Sequence, residues 1–373
     1  MIFKFRSEQM NIYPQKKTSA FILSALILGL IVLLTACGTT TGNSVSSMPT
    51  AIPSPTIDPT LTKQGDMELQ AFKQWIALTR QYSGDITSYQ QQYSSDQQAL
   101  HSAQSDAAYK NAMARLQGHV DAIKIPAMKI EGTALLQQLK QQVTAWGQTH
   151  QYHDAFNNIT YPLGYEYGPN GVGGWAEQEL GQSQTLADYQ QTVEDLNVYL
   201  TNFQAMMTNA GDKTPYNQVH QTDLQLIQHY GFMNKKVVVV SLEEQALRVY
   251  DNGKLVNAFL VTSGRPEKPS PPGTWWVEVK KSPTVFKAGV PQSSPDWYPD
   301  TPINYAMQYH SNGYFLHDSW WRSDYGPTTN FPHADSSGDP FSAQGSHGCV
   351  NMSKDNAAWL YGFVSLNTTV LVY

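Results

Sequence analysis

The spacing of hydrophobic residues divides the chain into two parts. From residue 66 to about Tyr230, apolar side chains recur at steps of three and four, which is the spacing of one helical face. The clearest stripe consists of Leu186, Tyr189, Val193, Leu196, Leu200, Phe203 and Met207. From Lys235 the period shortens to two, as in β-strands. The pattern predicts an α+β multidomain protein, with a helical bundle at 66–233 followed by a mostly β domain at 234–373.

The N-terminus has a different organisation. Basic residues precede an apolar run, and Leu34-Thr-Ala-Cys37 follows it. This sequence resembles the lipobox of bacterial lipoproteins, so we predict a signal peptide at 1–36 and lipidation of Cys37. An uncleaved membrane anchor is the alternative, although the run is shorter than the roughly 20 apolar residues that a span needs. Residues 37–65, rich in Pro, Ser and Thr, are predicted to form a flexible tether.

Composition narrows the classes of function. The net charge is −6 and only 14% of residues are charged, which disfavours nucleic-acid binding. The two cysteines, Cys37 and Cys349, each have an explanation as single residues, so we predict no disulfide. His333, Asp335 and Asp339 have no spacing typical of a metal site, and we expect neither a metal nor a cofactor.

A glycine-rich segment interrupts the helical pattern between Tyr161 and Trp175. A phosphate-binding loop would follow a strand and end in Gly-Lys-Ser/Thr, and this segment does neither. We therefore interpret it as a long surface loop.

The candidate chemistry lies in the hexapeptide Ser346-His-Gly-Cys-Val-Asn351. A cysteine thiol becomes a good nucleophile when a nearby base or positive charge increases its thiolate fraction. Glycine allows a substrate to approach the backbone, whose amides can stabilise an oxyanion. We therefore predict that Cys349 is a nucleophile. The alternative is an inert buried thiol.

The domain beginning at 234 resembles the L,D-transpeptidase (YkuD-like) catalytic domain. The resemblance rests on motifs that occur in the family's order: Gln245-Ala-Leu-Arg-Val-Tyr with Asp-Asn-Gly, Ser263-Gly264 with Pro272-Gly-Thr, Gly313-Tyr-Phe-Leu-His317-Asp318, and Ser346-His-Gly-Cys-Val-Asn351. It covers a little over a third of the chain. The 28 residues between His317 and Ser346 are more than is usual in the family. We predict that the extra residues form an insertion at 328–342.

The resemblance implies roles for individual residues. His317 would be the proton donor and acceptor, and His333, which lies in the insertion, is the alternative base. Asp318 would orient His317 through its side chain or its backbone. His347 would raise the thiolate fraction or contact substrate, and Gly348 would supply an oxyanion donor. Four further residues are predicted around the substrate, either binding it or holding the loop and the cleft: Ser346, Asn351, Trp320 and Trp321.

The implied substrate is the peptidoglycan stem peptide. The enzyme would form a thioester on Cys349, release D-alanine and link the third residues of two stems. Carbapenems, which acylate this family's cysteine, would inhibit it. The alternatives are a carboxypeptidase or endopeptidase on wall peptides and a non-catalytic wall-binding lipoprotein. We expect the chain to be anchored outside the cytoplasm, facing the cell wall, with the helical region acting as a spacer or binding a protein partner.

Overall fold

The computed structural model describes residues 57–294 and 297–373. The predicted order, a helical region followed by a β-rich domain, is confirmed. The helices of the first region are α1 (Pro59–Gln81), α2 (Thr87–Ser102), α3 (Asp106–Thr149), α4 (Val172–Gln182), α5 (Leu186–Asn209) and α6 (Gln221–His229). Strands β1 (Gln151–Asp154) and β2 (Ile159–Pro162) form a hairpin between α3 and α4. The predicted signal peptide and Cys37 lie outside the described residues.

Helix α1 begins inside the stretch predicted to be a flexible tether. The Asp58 carboxylate caps the helix by accepting a hydrogen bond from the Thr60 amide at 2.7 Å, and Pro59 occupies the first helical position. Proline is well tolerated there because that position has no intrahelical partner for an N–H group. The predicted boundary at 65 is therefore too late, because the last residues of the range are helical.

Helix α5 shows how local sequence defines an element. Thr185 and Asp188 form a reciprocal capping box at its N-terminus. The apolar stripe noted above buries Leu196 and Phe203 completely. Helix α3, by contrast, runs for 44 residues through Pro126, and its two halves pack in two different hydrophobic clusters. Among the described residues, no helix is both long and apolar enough to cross a membrane.

The second region contains two principal sheets. The five-stranded sheet has the order β5-β4-β3-β13-β6, where β3 is Lys236–Ser241, β4 Ala246–Asp251, β5 Lys254–Leu260, β6 Gly273–Trp276 and β13 Thr369–Val372. The four-stranded sheet has the order β12-β11-β10-β7, where β7 is Val279–Lys281, β10 Ala306–His310, β11 Tyr314–Asp318 and β12 Val350–Met352. Strands β8 (Thr284–Phe286) and β9 (Thr301–Ile303) form a separate pair. Helix α7 (Lys354–Phe363) follows β12.

The two faces of the five-stranded sheet bury different partners. Val238 and Val240 of β3 pack with Leu316, Val350 and residues of α7 in the core of the β-rich domain. Val237 and Val239, which alternate with these two residues along β3, pack in the helical cluster that contains Leu196, Phe203 and Met206. Successive strand residues point to opposite faces. Strand β3 therefore belongs to two cores, one of which it shares with the helices.

A buried ion pair crosses the same boundary. Asp223 of α6 pairs with Arg248 of β4, and both side chains are fully buried. The Asp223 carboxylate also accepts hydrogen bonds from the hydroxyls of Tyr250 at 2.7 Å and Tyr373 at 2.6 Å. Every group in this network gains a partner, as burial requires.

The glycine-rich segment 161–175 is not the surface loop that its sequence indicated. Glu166 and Tyr167 are buried, and Tyr167 packs edge-on against Phe203 of α5. A Cβ atom on Gly171 would lie 1.8 Å from the carbonyl oxygen of Glu166. The glycine at this position therefore serves close backbone packing, a use that looks the same in sequence as loop flexibility.

Candidate active site

The candidate catalytic residues lie on two adjacent parallel strands. Strands β11 and β12 pair in the register His317 opposite Asn351 and Leu316 opposite Val350. Cys349 precedes β12, two residues before Asn351. Because side chains alternate along a strand, Cys349 and Asn351 share the face that His317 occupies on β11. The structure therefore brings together the predicted nucleophile and the predicted base, which line one cleft.

The imidazole of His317 is held at both nitrogens. Nδ1 lies 2.8 Å from the backbone oxygen of Asp318, and Nε2 lies 3.0 Å from Nδ2 of Asn351. A carbonyl oxygen can only accept, so Nδ1 carries the proton and Nε2 has the free electron pair. Burial lowers the pKa of His317 to about 4. The neutral ring thus presents a basic nitrogen on the side of Asn351.

None of the hydrogen bonds of the Asp318 carboxylate reaches the imidazole of His317. It accepts from the amides of Asn304 at 3.2 Å and Tyr305 at 2.7 Å, and from the Asn304 side chain at 2.7 Å. Of the two routes predicted for orienting His317, the backbone route is the one that the geometry supplies.

The thiol of Cys349 is half-buried and is not in a disulfide. Desolvation raises its pKa to about 11, and a hydrogen bond from the Phe315 amide opposes this shift. Its sulfur lies 3.9 Å from the carbonyl oxygen of Gly313. With the neutral His317, the resting site therefore holds a neutral thiol and a neutral imidazole, not a preformed ion pair.

Hydrogen bonds within the hexapeptide hold its turn. Ser346 Oγ donates to the Cys349 carbonyl oxygen and accepts from the Gly348 amide at 3.0 Å. Gly348 has a φ of +109°, and a Cβ there would lie 2.4 Å from the Tyr314 ring. Only glycine fits this position without strain. Because the Gly348 amide already has a partner, its predicted oxyanion role requires that bond to break.

A cleft of about 570 Å³ opens above these residues. Its lining includes most of the predicted site residues: His317, Trp320, Trp321, Ser346, His347, Cys349 and Asn351. His347 is exposed, and its Nε2 lies 3.3 Å from a guanidinium nitrogen of Arg265. Asp318 and Gly348 do not line the cleft, since Asp318 is buried beneath it and Gly348 is covered by Tyr314.

The inserted segment 328–342 forms one wall of the cleft through Asp339, Pro340 and Phe341. Asp335 organises the segment by accepting hydrogen bonds from the backbone amides of Ser323, Asp324 and Ser337 at 2.8–3.1 Å. These bonds lower the pKa of Asp335 to about 2, although burial opposes the shift.

His333, the alternative base, does not line the cleft. Its Nδ1 lies 2.8 Å from the Phe331 carbonyl oxygen, and its backbone amide donates to Ala343. These contacts favour His317 as the base. No group of acidic, histidine or cysteine side chains within 57–294 and 297–373 could hold a metal ion.

Other walls of the cleft consist of residues that the sequence did not single out. Arg265 follows the Ser263-Gly264 motif and provides a cation at the rim. Phe286 packs edge-on against the His317 ring, with centroids 5.0 Å apart, and Tyr298 lies 5.6 Å from the ring of His347. The proximity of Arg265 to the Ser263-Gly264 motif was a usable signal. The other two come from the connection around β8 and β9, where the sequence shows no recognisable pattern.

Comparison with known proteins identifies this part of the chain. Residues 235–372 match the model of the L,D-transpeptidase catalytic domain, YkuD. This domain therefore belongs to the family of L,D-transpeptidase catalytic domains, as the resemblance predicted.

The chain is also similar to individual proteins. The chain is 26% identical over 161 residues to L,D-transpeptidase 1 of Mycobacterium tuberculosis, covering 42% of this chain and 58% of the relative. It is 30% identical to the catalytic domain of the Enterococcus faecium enzyme, covering 38% of this chain and all of that structure, with a TM-score of 0.31. An L,D-transpeptidase structure from Mycobacterium smegmatis is 27% identical, with 37% and 58% covered and a TM-score of 0.31. The chain thus spans little more than half the length of the first of these relatives.

Proposed function

We propose that the chain is a peptidoglycan L,D-transpeptidase. The observation that carries the proposal is the pairing of β11 with β12 inside a YkuD domain, which places His317 and Cys349 on one face beneath a common cleft. A nucleophile and a base held by adjacent strands are the parts that acyl transfer through a covalent intermediate needs.

The first step forms the acyl-enzyme. The thiol of Cys349 attacks the carbonyl carbon of the third residue of a donor stem, while Nε2 of His317 accepts the thiol proton. Collapse of the tetrahedral intermediate breaks the bond to D-alanine, and His317 gives the proton to the leaving amine. Since the resting pair is neutral, proton transfer accompanies the attack and need not precede it.

The second step regenerates the thiol. An amine of a neighbouring stem attacks the thioester carbonyl, and His317 accepts its proton and returns it to the departing sulfur. The product is a link between third residues. Water in place of the amine would make the same site a carboxypeptidase or an endopeptidase.

Support around the reacting groups comes mainly from the backbone. The Asp318 carbonyl fixes the tautomer of His317, and Asn351 orients the ring from the other side. The Cys349 amide is the proposed oxyanion donor, joined by Gly348 if the bond to Ser346 opens. His347 and Arg265 at the rim would contact the substrate, and Trp320 and Trp321 would form its side.

The remaining features give the proposed setting. Acylation of Cys37 would anchor the chain to the membrane on its outer side, so that the catalytic domain faces the cell wall. The helical region would place the domain at a distance from the membrane, and we keep a protein partner on that region as a further hypothesis.

The test is incubation of the purified full chain with disaccharide-tetrapeptide, followed by mass spectrometry. The proposal predicts free D-alanine and a cross-linked dimer, both absent with Cys349→Ala. Hydrolysed tripeptide without dimer would favour the carboxypeptidase. Binding of the substrate without turnover would instead favour a non-catalytic wall-binding protein.

A further inference from the structure

The backbone of residues 262–265 supports both ends of the catalytic hexapeptide. At one end the Ser346 amide donates a hydrogen bond to the Ser263 carbonyl oxygen at 2.9 Å. The Ser346 carbonyl oxygen accepts one from the Arg265 amide at 3.1 Å. At the other end Thr262 and Asn351 exchange two backbone hydrogen bonds, of 2.9 and 2.8 Å. The position of the nucleophile therefore depends on where this segment lies.

Gly264 is the centre of that support. Its amide donates to Ser270 Oγ at 3.0 Å, and the Ser270 hydroxyl donates to the carbonyl oxygen of Gly348 at 2.8 Å. A Cβ on Gly264 would lie 2.1 Å from the Lys268 carbonyl oxygen, so the backbone here is enclosed by its own chain. The carbonyl of Gly264 accepts its hydrogen bond from elsewhere, from the helical region.

That donor is Tyr165, in the glycine-rich segment between β2 and α4. Its hydroxyl donates to the Gly264 carbonyl at 2.8 Å and accepts from Asn330 Nδ2 at 2.8 Å. The backbone carbonyl of Asn330 in turn accepts from the amide of Gly345, next to Ser346, at 3.3 Å. One hydroxyl therefore connects the two segments that lie against the hexapeptide.

We propose that Tyr165 is a positioning residue for the catalytic loop, and that the helical region is thereby part of the catalytic apparatus and not only a spacer. The residue does not line the catalytic cleft, so it acts through Gly264 and Asn330. Its effect on turnover rests on the proposed function, whereas its effect on the loop does not.

Removal of the hydroxyl leaves two partners unsatisfied. The carbonyl of Gly264 loses its donor, and the side-chain amide of Asn330 loses its acceptor. Both residues are buried. An unpaired buried polar group is costly, so the segment would shift or open to regain partners. Such a change would loosen the backbone on both sides of Cys349.

The test compares Tyr165→Phe with Tyr161→Phe in the full chain. Both rings pack on Phe331, with centroid distances of 5.9 and 5.1 Å. The Tyr161 hydroxyl accepts its hydrogen bond from Asn157 of its own hairpin, at 2.8 Å. The pair therefore separates loss of the bridging hydroxyl from disturbance of the same aromatic cluster.

The primary measurement is hydrogen exchange of the peptide that covers the hexapeptide. We expect roughly tenfold faster exchange in Tyr165→Phe and no change in Tyr161→Phe. Asn330→Ala should also speed exchange, and the double variant should exceed Tyr165→Phe by no more than about twofold, because both act through one bridge. If Tyr165→Phe does not fold, Asn330→Ala decides the question. Unchanged exchange in the folded variants overturns the proposal.

Turnover provides the second measurement. In Tyr165→Phe we expect kcat to fall roughly tenfold and KM to stay within about twofold, because the substitution removes no side chain that lines the cleft. A rise in KM alone would contradict positioning of the nucleophile. An inactive wild-type protein with faster exchange in Tyr165→Phe would refute the proposed function and leave the role of Tyr165 in the loop supported.

Discussion

The side-chain amide of Asn351 donates a hydrogen bond of 3.0 Å to Nε2 of His317, the nitrogen that accepts the thiol proton in the proposed mechanism. The two residues lie opposite each other on parallel strands, and the other ring nitrogen faces the Asp318 carbonyl. The imidazole is therefore held at both nitrogens, and a neutral donor occupies the proposed proton acceptor in the resting state.

Replacement of Asn351 tests this arrangement. We expect Asn351→Ala to lower kcat roughly tenfold, because the ring of His317 keeps only its bond to Asp318 and loses its alignment with the sulfur. Steady-state turnover of disaccharide-tetrapeptide measures the effect, and thermal unfolding serves as the control for folding. An unchanged kcat would show that Asp318 alone orients the ring.

The pH dependence follows from the neutral resting pair. His317 is a competent base above its pKa of about 4, and the thiol stays protonated below its pKa of about 11. Acylation by substrate should therefore be flat between about pH 6 and about pH 8. Alkylation by iodoacetamide, which needs the thiolate, should rise roughly tenfold per pH unit over the same range. An alkylation rate that is already level at neutral pH would indicate a preformed ion pair.

Gly348→Ala should lower turnover strongly. Its φ of +109° and the Tyr314 ring, 2.4 Å from the new Cβ, force the loop that carries Cys349 to move. We expect kcat to fall by about tenfold or more. Gly231→Ala is the matched control, since its φ is +73° but nothing lies within 4 Å of the Cβ position. Equal losses in the two variants would point to general strain and not to the loop.

A carbapenem should acylate Cys349. Addition of the Cys349 sulfur to the lactam carbonyl breaks the ring C–N bond, and His317 transfers the thiol proton to the released nitrogen. Intact mass spectrometry should show one added drug molecule, which peptide mapping places on Cys349. His317→Gln should slow the reaction, and Cys349→Ala should abolish it. Since Cys37 is the other cysteine of the chain, an adduct that persists in the alanine variant would show that the site is misplaced.

The buried pair of Asp223 and Arg248 should dominate the stability of the boundary between helices and sheet. Asp223→Ala leaves a buried guanidinium without its main partner and should lower the free energy of unfolding by about 3–5 kcal/mol, measured with urea. The exposed pair of Asp121 and Lys124 is the control, and Asp121→Ala should change little. Similar effects in the two variants would contradict a special role for the buried pair.

Residues that act through local sequence could be predicted. The proposed nucleophile, the glycine of the turn and the serine that forms hydrogen bonds across the turn all lie within six positions. His317 could be proposed from sequence because it follows an apolar run and is followed by an acid, as in the family. The backbone route from Asp318 to the ring was left open in sequence, since the identity of a residue does not say whether its carbonyl or its carboxylate makes a bond.

Long-range packing could not be predicted. The glycines of 161–175 allow close approach of backbones, but in sequence they indicate a loop. Tyr165 lies 99 residues from Gly264, and no periodic pattern connects the two. Likewise the sequence placed an insertion at 328–342 but did not indicate that its folded form makes a wall of the cleft.

The double use of strand β3 has a consequence for recombination between relatives. Because Val237 and Val239 are packed by helices and Val238 and Val240 by the β-rich domain, a crossover placed at residue 235 would separate side chains that have adapted to each other. In a chimera that joins this domain to a foreign N-terminal region, the helices should pack poorly against the face of the five-stranded sheet that carries Val237 and Val239. Functional exchanges would have to carry the helices and the sheet together.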